Sequence, residues 1–574
     1  MTSPGPDPPL PAVPGPHRAR TLLTFASIAV ALAAADTYVV VLALTDMMQG
    51  VGLGIENLQR AAPIISGFLL GYVAVLPLIG RLADLIDRQR VLLGCLAIFV
   101  VGSGITALAS ELSVLVTGRV IQGVGGGGLV PATLSIVAAL WPEDRRGLPL
   151  GVVGAVQELG SVLGPVLGAL VLAVADWRMI FWLNAIGGIV LALLIRAIGP
   201  ATGASATRGA IGHVLIWAAG LAVTGLALWA PERLTNSVSL GIPFVPFGDA
   251  TAHLATPIGV VGLVLVAGAL AMTLHTAWPV VRRADPAGAA LLGGALGCVV
   301  LTFAASDPEK EVVGPLGFAL LPLGVASAIG YAVLHRRSAA PVIPRGLVRG
   351  RTVWALVVSL FVGVALVAVI VDVPLLARLV HTDSAGAQPV ATEGALILVR
   401  FLIAVPVGAL LGGWALRWLG DGLVAAVGLG LAAVGIGLLT TYGRGSFAGP
   451  LPYAVLALAG LGLGLALAPV NNAALAEAPQ SAHGTASALV VVARMVGMVV
   501  GIALLTALGL HHYYQVVAEL PDPSDRKALV DAAISQVHFV FRGAAVAAAL
   551  GALSAVALGL KRRGQVSGQH TFGL

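Results

Sequence analysis

Apolar positions along this chain neither alternate nor gather on one helical face; they run on without interruption. Sixteen such runs have spanning length, each about twenty residues, enough for a helix rising about 1.5 Å per residue to cross a bilayer. They cover residues 21–45, 61–80, 91–110, 112–140, 147–173, 178–197, 209–230, 256–280, 287–305, 313–334, 352–374, 393–412, 422–441, 451–470, 485–508 and 538–560. The pattern predicts an all-α polytopic membrane protein. The runs group as six, four and six. That grouping gives a Pro-rich tail (1–20), a six-helix bundle (21–200), inserted linker helices (201–345), a second six-helix bundle (346–562) and a short tail (563–574). Ala33-Ala34-Ala35 resembles a signal-peptidase site, but apolar character continues to Leu44, so an uncleaved first span is expected.

Polar segments between the runs set the orientation. With the amino terminus inside, about 20 Lys and Arg fall on the cytoplasmic side and about 8 outside, so both termini are expected in the cytoplasm. Three outer segments are long. Residues 231–255 are rich in Pro, Gly and Ser and read as irregular. Residues 375–392 alternate around Asp383-Ser384-Ala385-Gly386 and suggest a short hairpin. Residues 511–537 follow with an amphipathic stretch capped by Ser524, carrying Leu529, Ala532, Ala533 and Val537 on one face. That stretch is expected to lie on the outer membrane surface.

Composition excludes several function classes. The chain is 58% hydrophobic and only 10% charged, with a mean hydropathy of +0.99, against roughly 25% charge in soluble domains. A net charge of +6 raises nucleic acid as a partner, but the basic residues lie in short loops between spans, where membrane orientation accounts for them. Cys95 and Cys298 both fall inside spans, so neither a disulfide framework nor a thiol metal site is expected. HExxH, Walker A and GxSxG motifs are absent from the sequence, leaving proteolysis, ATP-driven transport and ordinary ester hydrolysis without support. His511-His512 is a thin basis for a metal site, and none is expected.

The few ionisable residues within spans are therefore informative, because charge at that depth is costly. Asp36 in the first span and Arg119 in the fourth lie roughly 13 Å and 10 Å from the outer face and could meet. Glu158 in the fifth span and Arg494 in the fifteenth share a depth from the inner face. Each pair is either a protonatable, moving element or a static structural one. Asp372, Glu393 and Arg400 occupy the outer parts of the eleventh and twelfth spans. Around Glu158, glycines recur every four residues (Gly160, Gly164, Gly168) beside Pro165, giving a smooth face that lets a neighbour pack closely and slide. Four consecutive glycines, Gly125 to Gly128, indicate tight packing in the fourth span.

Spans five and fifteen also look like repeats. Gly160-x3-Gly164 matches Gly497-x3-Gly501, and Gly80-Arg81-Leu82-Ala83-Asp84 echoes Gly413-Trp414-Ala415-Leu416-Arg417. Two similar halves around a central site are a transporter plan.

Taken together, these motifs resemble the major facilitator superfamily, in particular its long drug:proton antiporter branch. Gly80 to Arg90 resembles the family's loop signature after the second helix, with Asp87 where glycine is usual. Arg119-Val120-Ile121-Gln122-Gly123 resembles the fourth-helix motif. Gly160-x3-Gly164-Pro165-x2-Gly168 resembles the fifth-helix antiporter motif, and Trp177 to Asn184 is also similar. Asp36 to Val41, Gln157 to Pro165, Val371-Asp372-Val373, Arg400 to Ala404 and Val490 to Met495 resemble a mycobacterial group of triacylglycerol exporters that work with a periplasmic lipid-carrying lipoprotein. The branch normally inserts two linker helices where four are read here, so fourteen spans is the alternative to sixteen.

The resemblance implies a major facilitator fold working by alternating access in a bacterial plasma (inner) membrane. It implies a monomeric, proton-driven exporter of lipids such as triacylglycerol or other lipophilic compounds, with no cofactor beyond the proton gradient. Asp36 would be the main proton site with Arg119 as its modulator, and Glu158 would pair with Arg494. Gly80, Asp84, Arg88 and Arg417 would form the cytoplasmic gate. A multidrug efflux pump is the alternative, and a membrane-embedded lipid-modifying enzyme a remoter one.

Overall fold

The computed structural model describes residues 16–54, 58–198, 208–237, 241–248, 252–304, 317–380, 390–443, 451–522 and 525–560. These residues form helices and short turns, with no strand among them. Sixteen helices are long and apolar enough to cross a membrane.

The first six are α1 (Pro16–Gly50), α2 (Leu58–Leu85), α3 (Arg88–Ala107), α4 (Leu112–Leu140), α5 (Gly147–Val174) and α6 (Arg178–Ile198). The inserted region holds α7 (Arg208–Trp229), a one-turn α8 (Glu232–Thr235), α9 (Pro257–Arg283), α10 (Pro286–Ala304) and α11 (Gly317–Arg337). The last six are α12 (Gly350–Val380), α13 (Val390–Ala415), α14 (Asp421–Leu439), α15 (Leu451–Glu477), α16 (His483–Ala518) and α17 (Arg526–Ala555). Helices α1 to α6 pack on one another, as do α12 to α17; the two bundles meet mainly along α2 with α16 and α5 with α13. In the inserted region α7 pairs with α9 and α10 with α11, and α10 lies against α2.

Glycine decides how closely these apolar helices approach. Hydrocarbon side chains gain little by leaving lipid for protein, so packing and backbone proximity hold the bundle together. A Cβ built on Gly160 would come within 2.4 Å of the Ala31 carbonyl oxygen, and one on Gly164 within 2.3 Å of that of Ala35. The smooth face of α5 is thus filled by α1. Its repeat follows the same plan: a Cβ on Gly497 of α16 would meet the Leu360 carbonyl of α12 at 2.1 Å. The glycine run of α4 is wedged between α2 and α3. A Cβ on Gly125 would run into the Phe99 backbone nitrogen, and one on Gly127 into the Tyr72 carbonyl oxygen.

Two expectations for the outer segments are corrected. Leu529, Ala532, Ala533 and Val537 do not belong to a separate surface helix. They are the opening turns of α17, which runs unbroken from Arg526 to Ala555, while α16 continues to Ala518. The amphipathic face packs against neighbours, with Ala532 and Val537 fully buried. Similarly, residues 375–380 continue α12 as helix rather than starting a hairpin. Residues 381–389, with the Asp383-Ser384-Ala385-Gly386 stretch, lie outside the described residues, as do the expected cap Ser524, residues 1–15 and residues 561–574.

This packing carries a prediction. Gly164→Ala should lower thermal stability, the added methyl forcing α1 off α5 at a cost of about 1–3 kcal/mol. Gly94→Ala, where a Cβ meets nothing within 4 Å, should hold or raise it, because alanine is the better helix former. Tryptophan-fluorescence melting of the two variants in detergent reads the difference.

Candidate functional site

Span one supplies an acid and span four a base, and the fold brings them together. Arg119 Nη1 lies 2.5 Å from Asp36 Oδ2, with both residues 1% exposed. Three donors converge on this carboxylate. Arg119 donates to Oδ2, while Gln122 Nε2 and Asn184 Nδ2 donate to Oδ1 at 3.0 and 2.6 Å. The arginine is held in turn: its Nε donates to the Ile64 carbonyl at 3.2 Å and Nη1 to Gln122 Oε1 at 2.6 Å. Its guanidinium also lies 4.5 Å from the Phe68 ring centre. Buried ions persist where their remaining lone pairs and protons are satisfied in this way. Gln122 and Asn184 were not singled out from the sequence, although each is a polar residue inside an apolar run.

Glu158 and Arg494 also meet, Oε1 to Nη1, at 3.5 Å. This pair joins the two bundles, since α5 belongs to the first and α16 to the second. It lies on the wall of a cavity of about 240 Å³ enclosed by α1, α2, α4, α5, α12 and α16. Tyr38, Tyr72, Gln157 and Ser161 supply further polar atoms, and the rest of the lining is largely hydrocarbon, including Leu366, Ile370, Met495 and Met498. The two carboxylates therefore have different surroundings. Asp36 is sealed among α1, α4 and α6, whereas Glu158 faces the space between bundles.

The secondary charged residues do not form a cluster of this kind. Asp372 is 7% exposed, and no ion pair or hydrogen bond joins it to another described residue. Arg400 is exposed, with its guanidinium 3.6 Å from the Tyr453 ring centre. Glu393 lies in the first turn of α13, and its side chain is outside the described residues.

At the end of the molecule carrying the α2–α3 turn, two latches close the bundles on each other. Asp84 accepts from the Gly484 and Thr485 backbone nitrogens at 2.6 and 2.9 Å and from Thr485 Oγ1 at 2.7 Å. It satisfies the open amino terminus of α16, where helical N–H groups favour an anion. Arg88 Nη2 adds a bond to the Gln480 carbonyl at 3.2 Å. A Cβ on Gly80 would come within 2.6 Å of that of Ala488, so α2 and α16 are in backbone proximity here.

The second latch departs from the sequence expectation. Arg417 is exposed and bonds only through its backbone to Trp414, because the α13 helix ends at Ala415 and turns its side chain away from the seam. Other residues do the work. Arg146 of the first bundle donates from Nε to Asn472 Oδ1 at 2.6 Å and from Nη2 to the Asn472 carbonyl at 3.1 Å. Asn472 Nδ2 donates to Asp421 Oδ1 at 2.7 Å, and Arg351 Nη2 to Asp421 Oδ2 at 2.5 Å. Arg146 had counted only as a loop charge, yet it is 4% exposed. Its one advance signal was Asn472, an amide just past the end of an apolar span.

Two of the histidines have clear structural partners. His253 bonds Ser110 and the Leu228 carbonyl, and His512 bonds Ser535 and stacks on Phe539. Among the described residues no cluster of His, Cys, Asp and Glu is placed to hold a metal.

Comparison with known proteins agrees with this architecture. The family model of the major facilitator superfamily matches residues 26–339. A triacylglyceride transporter of Mycobacteroides abscessus is 33% identical over 521 residues, covering 88% of this chain and 86% of that protein. One of Mycolicibacterium hassiacum is 35% identical over 516 residues, covering 87% and 82%. In fold, the chain is similar to the proton:xylose symporter XylE, with a TM-score of 0.54 at 13% identity, covering 93% of this chain and 95% of that one. It is also similar to a human organic anion transporter, with a TM-score of 0.52 at 14% identity, covering 94% and 99%. The sixteen spans, the paired bundles and these matches make the chain a multi-pass membrane transporter rather than an enzyme, and it belongs to the major facilitator superfamily.

Proposed function

We propose that the chain is a proton-coupled exporter of neutral lipids such as triacylglycerol, working by alternating access in a bacterial plasma membrane with both termini in the cytoplasm. The observation that carries this reading is the cavity between the bundles: mostly hydrocarbon, with the Glu158–Arg494 pair set into its wall. A lipid ester has the matching polarity, apolar along its chains and weakly polar at its head. The relatives named as triacylglyceride transporters, aligned over most of the chain, support the same substrate class. A water-insoluble product needs an acceptor on the far side, which is the role for a periplasmic lipid-carrying lipoprotein. One chain holds the whole site, in keeping with a monomer.

The coupling follows from two carboxylates on helices that touch. A proton added to Asp36 removes the charge that holds Arg119, and the short Asp36–Arg119 contact loses its Coulombic part. Helix α1, which carries Asp36, lies on the glycine face of α5, which carries Glu158. Release of α1 therefore shifts α5 against α16 and strains the Glu158–Arg494 bridge between bundles. With that bridge and the cytoplasmic latches as two-state contacts, the cavity opens to one side at a time.

In proteoliposomes under an imposed proton gradient, the wild-type chain should move fluorescent triacylglycerol. Asp36→Asn and Glu158→Gln should each lower that movement by about tenfold or more, because an amide can neither take up nor release the proton that the cycle needs. Gradient-independent movement in both variants at the wild-type rate would sink the coupling. Efflux of lipophilic cations in place of lipid would point to drug export.

The latches give a second test. Ser487 is buried under the Asp84 latch. A Ser487→Cys reporter should gain maleimide reactivity severalfold when combined with Asp84→Asn or Arg146→Ala, applied from the cytoplasmic side. Unchanged labelling would mean that these contacts do not hold the closed state.

A further inference from the structure

A second void adjoins the central cavity, and nothing in the proposed cycle uses it. Its volume is about 280 Å³, and its walls come from α2, α10, α12 and α16. It shares Ile65, Leu69, Val367, Met495 and Met498 with the central cavity, so the two spaces adjoin across these side chains. Away from that junction it is bounded by Val300 and Phe303 of α10 and by Val499, Ile502 and Ala503 of α16, with the Thr506 hydroxyl as its polar side chain.

The inserted helix supplies one wall of this chamber. At Gly293 and Gly297 α10 sits close on α2: Cβ atoms there would approach the Ala74 carbonyl to 2.6 Å and the Leu70 side chain to 2.7 Å. One to two turns further on, at Val300 and Phe303, larger side chains border the void. Val300 is 1% exposed, whereas Ala290 on the same helix is exposed.

We propose that α10 is part of the substrate route: with α2 and α16 it encloses a side chamber that takes one acyl chain of the lipid while the ester head stays beside Gln157 and Glu158. This rests on the lipid reading above and adds the position of the chain. The polarity gradient argues for this occupant. Charged and hydrogen-bonding groups line the central cavity and hydrocarbon the adjoining chamber, so a polar solute would leave its polar groups unpaired in the chamber. Two flexible methionines at the junction can repack around chains of different shape. In the proposed orientation Val300 lies toward the outer end of α10, so the chamber belongs to the outer leaflet, the side on which an exported lipid is released.

The test uses the full-length chain in proteoliposomes, with triolein as the long-chain substrate and tributyrin as the short-chain one. Val300→Trp, and Ala503→Trp from the opposite wall, should cut gradient-driven triolein movement by about tenfold through overpacking of the chamber. Both should leave tributyrin within about twofold, a change too small to mark a lost binding contact. Ala290→Trp should affect neither substrate. Wild-type triolein movement in both chamber variants, or equal loss of both substrates, overturns the chamber. If the wild-type chain moves neither lipid, the lipid reading itself fails.

A photoreactive phenylalanine at position 300, in native membranes, checks occupancy without transport. Neutral lipid captured there in excess over the same probe at position 290 supports the proposal. No capture, or the same phospholipid mixture at both positions, overturns it.

Discussion

A carboxylate surrounded by hydrocarbon persists only where donors replace the water it has lost, and this requirement organises the first bundle. Asp36 is met by Arg119, Gln122 and Asn184, drawn from two helices distant in sequence. Two of these donors are anchored elsewhere: Arg119 on the Ile64 carbonyl, Gln122 on Ser103. One acid on α1 therefore fixes the relative rotation of α1, α4 and α6 and ties in α2 and α3. An apolar residue at the same place would leave Arg119 as the uncompensated charge, which is the more damaging defect. The bundle is specified by this charge as much as by its packing.

That requirement also explains what was legible in advance. Acid and base within apolar runs are conspicuous, and depth along a helix is readable from residue count, so Asp36 with Arg119 and Glu158 with Arg494 could be paired from the chain alone. The α5 glycines announced a close neighbour in the same way. The second latch was not legible. Its register was taken from the repeat that aligns Gly413 with Gly80, which puts Arg417 where Asp84 stands. α13 ends at Ala415, however, and the carboxylate at the seam comes from Asp421 at the start of the next helix. Arg146 was hidden for a related reason. Loop arginines are read as orientation signals, and nothing local distinguishes the one that turns inward to an amide on α15.

The outer ends failed for a different physical reason. An amphipathic stretch such as residues 524–537 has the same pattern whether its apolar face meets lipid or other helices. Periodicity records that a face is buried and is silent about what buries it. Here α17 continues straight through the stretch and packs the face against its own bundle, with His512 of α16 bonded to Ser535 across the contact.

The two carboxylate sites are joined by the backbone itself. Glycine on α5 against carbonyls on α1 leaves no side chain to absorb a displacement, and close-packed interfaces of this kind move between discrete arrangements rather than deforming smoothly. In the proposed cycle this seam carries a change of charge at Asp36 to Glu158 without any contact between the acids. The second bundle repeats the seam, Gly497 and Gly501 of α16 against α12, and Arg494 stands one turn before it. Glu158 and Arg494 thus sit at corresponding seams in the two halves, and their bridge spans the two bundles. In the proposed cycle a gate placed there responds to either half, and its looser geometry, one contact at 3.5 Å against three donors on Asp36, suits a bridge that has to break and re-form.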